Sequence, residues 1–161
     1  MSSIGSYLFS LQGVLKLLNI IFGLISFGCI IQAFEDELKS EMFFVVSATG
    51  ALVASVLFYP VFLLTSALDN NKALKFIDFI YHVLIGILLL VASSLMLKSA
   101  VDNNGEVLGS SSKSLGQLYY DKKVSAGSFG IINSLVYLAA SVFVITSQNE
   151  DDFAMSTRYS K

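Results

Sequence analysis

The stretch "KFIDFIYHVLIGILLLVASSLMLKSA", residues 75–100, decides the fold. From Phe76 to Leu97 it is long and apolar enough to cross a membrane as a helix, which takes about 20 such residues. It nevertheless contains Asp78 and, four residues later, the chain's only histidine, His82. Residues spaced i and i+4 share one helix face, about 6 Å apart along the axis. We therefore expect this face to point away from lipid, into a bundle.

The composition is that of an integral membrane protein. Of 161 residues, 55% are hydrophobic and 14% are charged, against about 25% charged residues in soluble domains. A net charge of −2 provides no basic surface for nucleic acid. The single cysteine rules out an internal disulfide, and the lone histidine rules out a multi-histidine metal site. The sequence also lacks a glycine-rich phosphate loop, and we predict no cofactor, no metal and no nucleic-acid partner.

Four segments are predicted to span the membrane, at about residues 14–34, 43–66, 76–97 and 126–146. The predicted fold class is an all-α integral membrane protein with an antiparallel four-helix transmembrane bundle over residues 14–146, since short links make consecutive helices antiparallel neighbours. Residues 1–13 form a short N-terminal segment, residues 98–124 the longest and most polar loop, and residues 147–161 a flexible tail. The even number of spans places both termini on one side. Lysine and arginine, whose bias sets orientation, are divided five against five between the two sides.

Two polar residues near the start of the first span face the same membrane edge as Asp78 and His82. These are Lys16 and Asn19, spaced i and i+3. Lys16 can extend to the interface or pair with Asp78, which would fix the first helix against the third. The favoured interpretation is a polar clasp at the edge of the bundle. The alternative is a proton relay or ion site, which normally needs further ionisable groups at membrane depth.

Small residues recur every four positions in two of the spans, and such stripes let helix backbones approach closely. In the second span they are Ser47, Ala51 and Ser55, and in the fourth they are Ala126, Gly130 and Ser134. The favoured interpretation is packing within the bundle, and the alternative is docking against another integral membrane protein or a second copy. Pro60 leaves the Val56 carbonyl without its helical partner, which predicts a kink in the second span.

Three segments together resemble the MARVEL-domain proteins of the MAL and CKLF-like branch, over roughly residues 10–147. "VLKLLNIIFGLISFG" resembles their first helix, and "IDFIYHVLIGILLLVASSLML" their third, with Asp78, Tyr81 and His82 at the matching positions. "AGSFGIINSLVYLAASVFVI" resembles the fourth helix, with Tyr137 as its central tyrosine. The resemblance implies a four-helix membrane bundle with both termini in the cytosol, and it adds Tyr81 to the predicted clasp.

The resemblance also implies a function. We expect a non-enzymatic protein of the plasma membrane or vesicle membranes that organises membranes, vesicle traffic or cell junctions and escorts partner membrane proteins. Its expected partners are membrane lipids and another integral membrane protein or itself. The alternatives are an accessory subunit of a larger membrane complex and a small proton-coupled transporter that uses Asp78 and His82.

Overall fold

The computed structural model describes the backbone of residues 10–33, 39–68, 72–108 and 113–159, and the side chains of residues 10–33, 39–61, 73–102 and 117–146. This part of the chain forms four α-helices: α1 (Leu11–Ile30), α2 (Lys39–Leu68), α3 (Lys72–Leu108) and α4 (Lys113–Tyr159). Each contains a stretch long and apolar enough to cross a membrane: Leu11–Ile30, Lys39–Val61, Ala73–Asp102 and Gln117–Thr146. The predicted all-α, four-span bundle is confirmed.

The helices form a ring in chain order, in which α1 packs against α2, α2 against α3, α3 against α4, and α4 against α1. Because α1 and α3 run in one direction and α2 and α4 in the other, each diagonal of the ring joins two parallel helices. We call the side where α1 begins and α4 ends the terminal side, and the other the loop side. Ser10 caps α1 on the terminal side, since its hydroxyl accepts the Gly13 N–H at 3.2 Å.

Polarity is distributed inside out compared with a soluble protein. Large apolar side chains cover the outer surface: Leu24, Val46, Leu84 and Val142 are each more than half exposed. Charged and amide side chains lie buried in the interior instead. Hydrocarbon solvates apolar groups and leaves polar ones to find partners inside the protein, so this arrangement suits a bilayer.

Close helix contacts occur at glycine positions on α4. A methyl group placed on Gly130 would collide with the Ser93 side chain of α3 and would lie 3.0 Å from Cε2 of Phe44 of α2. One placed on Gly127 would lie 2.7 Å from Cγ of Leu97. The backbone of α4 therefore approaches α3 as closely as it does only because these residues have no side chain.

The structure corrects the prediction of a long polar loop at residues 98–124. In the described part of this region, α3 continues to Leu108 and α4 begins at Lys113. Once a helix exists, each added residue gains a backbone hydrogen bond, and this outweighs the turn propensity of "DNNGE". The helix α4 also continues to Tyr159, through most of the predicted tail, whose mobility stays a prediction. The N-terminal segment before residue 10 lies outside the described residues.

Substituting Gly130 by Leu is expected to destabilise the bundle by about 1–3 kcal/mol, the usual cost of overpacking. The added side chain must displace Ser93 and Phe44 and separate α4 from its neighbours. Gly50→Leu is the matched control, because nothing lies within 4 Å of a Cβ built there. Thermal unfolding in mild detergent measures both. Equal melting temperatures for the two variants would contradict the close packing of α4.

Candidate functional site

Three of the residues predicted from sequence meet at the terminal side of the bundle. The Lys16 ammonium of α1 donates a hydrogen bond to Asp78 Oδ2 of α3 at 2.7 Å, and both side chains are buried. His82 Nδ1 lies 2.7 Å from the Asp78 backbone carbonyl and 3.1 Å from Asp78 Oδ1. Two acceptors next to Nδ1 indicate that this nitrogen carries the proton, which leaves Nε2 as an acceptor in the neutral ring. The i, i+4 spacing in the sequence is what brings the carboxylate and the imidazole together.

A cluster of hydroxyl groups lies one turn deeper. Tyr81 of α3 shares a hydrogen bond of 2.9 Å with Ser55 of α2, and Ser55 also bonds to the hydroxyl of Tyr137 of α4. The Tyr137 hydroxyl lies 3.3 Å from the Ala51 carbonyl, to which it donates. The His82 ring is in contact with both tyrosines, with ring centroids 5.0 Å from Tyr81 and 5.7 Å from Tyr137. These contacts connect α2, α3 and α4 around the histidine.

A second buried ion pair, which sequence reasoning missed, lies at the loop side. Lys123 Nζ of α4 is 2.7 Å from Glu41 Oε1 of α2. The glutamate is 0% exposed and the lysine 5%. Glu41 lies just before the predicted second span and Lys123 in the predicted polar loop, but both belong to helices that continue inward. The sequence contains no signal for this pair, because charges close to the ends of predicted spans are normally solvated.

Each ion pair connects helices that are diagonal in the ring. The pair of Lys16 and Asp78 joins α1 to α3, and the pair of Glu41 and Lys123 joins α2 to α4. On the second diagonal, the 14 residues between the ion pair and the hydroxyl cluster correspond to about 21 Å of helix. One more turn along α3 reaches Asp78, so the two pairs lie roughly 25 Å apart along the bundle. The hydrocarbon core is about 30 Å thick, so it is thick enough to contain both pairs with one near each end of the bundle.

All six residues of the two small-residue stripes face the interior of the bundle. In α2, Ser55 belongs to the hydroxyl cluster. In α4, the Ala126 carbonyl accepts a hydrogen bond of 2.9 Å from Ser26 of α1. The buried residues of the stripes are Ser47, Ala51, Ser55, Ala126, Gly130 and Ser134. A partner that approached from the membrane would meet large apolar side chains instead.

Two of the residues predicted from the sequence, Asn19 and Pro60, are not members of either ion pair. Asn19 is 2% exposed and lies beside the Lys16–Asp78 pair, but neither atom of its amide has a hydrogen-bond partner among the described side chains. Pro60 lies within α2, which continues as a helix on both sides of it. The kink predicted there stays a prediction.

The sequence matches the model of the MARVEL membrane-associating domain over residues 7–159. The chain belongs to the MARVEL family. Comparisons with curated proteins and with solved structures give no match. The MARVEL match covers all four helices and both ion pairs, and it confirms the family resemblance of the sequence. Assignment to the MAL and CKLF-like branch stays a prediction.

In this MARVEL bundle, the buried charged groups pair with one another. Within the side chains that the structure describes, no three His, Cys, Asp or Glu residues lie close enough to hold a metal ion. A lysine meets a carboxylate at each end of the bundle, and the hydroxyl cluster lies beside His82 on the terminal side. Such an arrangement holds helices in register and orients their faces.

Proposed function

We propose that this MARVEL protein is a non-enzymatic membrane organiser. In this proposal it acts in vesicle traffic or at cell junctions and escorts partner membrane proteins. Its four spans form a rigid unit with both termini in the cytosol, in the plasma membrane or vesicle membranes. The observation that carries the proposal is the use of the buried charges: each ion pair connects two helices across the bundle, one toward each end of it.

The polar clasp is the structural part of this proposal. Lys16 and Asp78 hold α1 to α3, with His82 fixed against the same carboxylate, and Tyr81 and Ser55 extend the contact to α2. Charges that neutralise each other inside the protein leave large apolar side chains to cover most of the outer face. A bundle of this kind can move laterally and pack against lipids or other spans without changing its own helix arrangement.

The accessory subunit is the first competing function, and proton-coupled transport through Asp78 and His82 is a less favoured one. Hydrogen-bonding groups do extend from Lys16 to Tyr137 on the terminal side. Toward the loop side, the interior contains Phe44, Met96 and Ile30 together with buried polar side chains such as those of Ser93 and Asn133. Among the described residues, however, no charged side chain is buried between the hydroxyl cluster and the Glu41–Lys123 pair. A proton relay normally needs ionisable groups at membrane depth, so this favours the clasp over transport.

Three measurements on the full-length protein distinguish these functions. Proximity labelling from the intact protein in cells is expected to mark several membrane proteins, and purification in mild detergent is expected to leave them behind. A single protein retained in fixed stoichiometry would instead identify an accessory subunit. Liposomes that contain the pure protein are expected to show no proton flux. A flux that Asp78→Asn and His82→Phe abolish, with both variants folded, would establish transport and overturn the proposal.

A further inference from the structure

A small cavity lies between α1, α2 and α3 at the level of the hydroxyl cluster. Its volume is about 10 Å³, and its wall includes Lys16, Asn19, Ser55, Tyr81 and His82. A cavity must offer about 10–15 Å³ to hold a single water molecule, and the water needs two to four polar partners. This cavity reaches the lower end of that range. Phe58 and Tyr59 give its wall apolar surface, and polar side chains from α1, α2 and α3 contribute to the same wall.

Asn19 is the unsatisfied group on this wall. Its side chain is 2% exposed, and neither Nδ2 nor Oδ1 has a hydrogen-bond partner among the described residues. An amide in a membrane interior loses its hydration and regains nothing unless a donor and an acceptor reach it. The position of Asn19 on the cavity wall gives it access to a group inside the cavity.

The other side of the cavity offers complementary groups. His82 has its Nδ1 directed at Asp78, which leaves Nε2 available for a further hydrogen bond. The hydroxyls of Ser55 and Tyr81 bond to each other and retain further lone pairs. A molecule with two donors and two acceptors, small enough for the cavity, would satisfy both sides.

We propose that this cavity binds one water molecule, held by Asn19 and by acceptors of the opposite wall. The water connects the Lys16–Asp78–His82 group to the hydroxyls of Ser55, Tyr81 and Tyr137, so that one hydrogen-bonded network joins all four helices at the terminal side. Asn19 thus has the role of a water ligand.

Solid-state NMR of the full chain in lipid bilayers detects this water directly. In protein labelled with ¹⁵N-asparagine, magnetisation is transferred from water protons to the side-chain amides. The Asn19 signal, assigned by its loss in Asn19→Leu, is expected to grow several-fold faster than that of Asn133. Asn133 is the matched internal control, since it is also buried with an unpartnered Oδ1 but does not line the cavity. Equal and slow growth of the two signals would show a dry cavity and overturn the proposal.

The sign of a stability change provides a second, independent test. If Asn19 binds water, Asn19→Leu expels the water and removes a hydrogen-bonding partner from the opposite wall, so the melting temperature in detergent falls. If the cavity is dry, the same change replaces an unpaired amide by an apolar group of similar size, and the melting temperature rises. Asn133→Leu is the control, because it removes a buried amide away from the cavity. The melting temperature is expected to fall further for Asn19→Leu than for Asn133→Leu.

Discussion

Replacing Glu41 by Gln is expected to lower the free energy of unfolding by about 3–5 kcal/mol, the usual cost of breaking a buried ion pair. The substitution keeps the shape of the side chain but leaves the Lys123 ammonium, 5% exposed, without its counter-charge. Chemical or thermal unfolding in mild detergent measures the loss. Asp102→Asn is the matched control, because it removes a carboxylate that is exposed near the same membrane edge.

A charge reversal distinguishes pairing from mere loss of an acid. Lys123→Gln should cost about as much as Glu41→Gln, while the double variant should cost less than the sum, since neither charge is then left alone. The exchanged pair, Glu41→Lys with Lys123→Glu, is expected to recover part of the stability. If Glu41→Gln unfolds like Asp102→Asn, the buried pair contributes nothing to the bundle.

Replacing Asp78 by Asn is the second change with a large expected effect, again about 3–5 kcal/mol. It leaves the Lys16 ammonium unpaired in the interior and removes the carboxylate beside His82. His82→Phe should be milder, because the ring contacts with Tyr81 and Tyr137 can persist. Unfolding in detergent and the amount of protein in the membrane provide the two measurements.

A compensating variant makes this prediction specific. Lys16→Met combined with Asp78→Asn removes both charges and should be more stable than Asp78→Asn alone, because no buried charge remains without a partner. If the double variant is as unstable as the single one, the defect arises from something other than the unpaired lysine. Asp102→Asn serves again as the exposed control.

The fold and the terminal-side ion pair could be predicted from the sequence, for the following physical reasons. Span length and the shortness of two links determine an antiparallel bundle. With four spans in that order, Lys16 and Asp78 must lie at the same membrane edge, so the pairing was among the predicted geometries. Spacing alone left open whether Lys16 extends to the interface instead, and side-chain packing decides that in favour of the pair.

The loop-side pair was missed because charges close to predicted span ends are normally solvated. Glu41 follows "EDELKS", and Lys123 follows "YYDK", and both segments resemble polar links. Local composition does not reveal that α4 already begins at Lys113, ten residues before Lys123. Because Lys123 is therefore part of the helix, its side chain lies on a helix face toward α2. The central role of Ser55 was likewise hidden, since a small residue in a stripe predicts close packing without indicating which hydroxyl it meets.

The diagonal pairing also determines when each buried charge can be neutralised during synthesis of the chain. Lys16 is made 62 residues before Asp78, and Glu41 is made 82 residues before Lys123. At about 5–20 residues per second, each early charge waits roughly 3–16 s for its partner to be synthesised. The first two helices therefore carry one unneutralised charge each until the last two arrive. We therefore expect Lys16 and Glu41 to stay near polar surroundings while the chain is being made. We also expect the four helices to enter bulk lipid only after both pairs have formed.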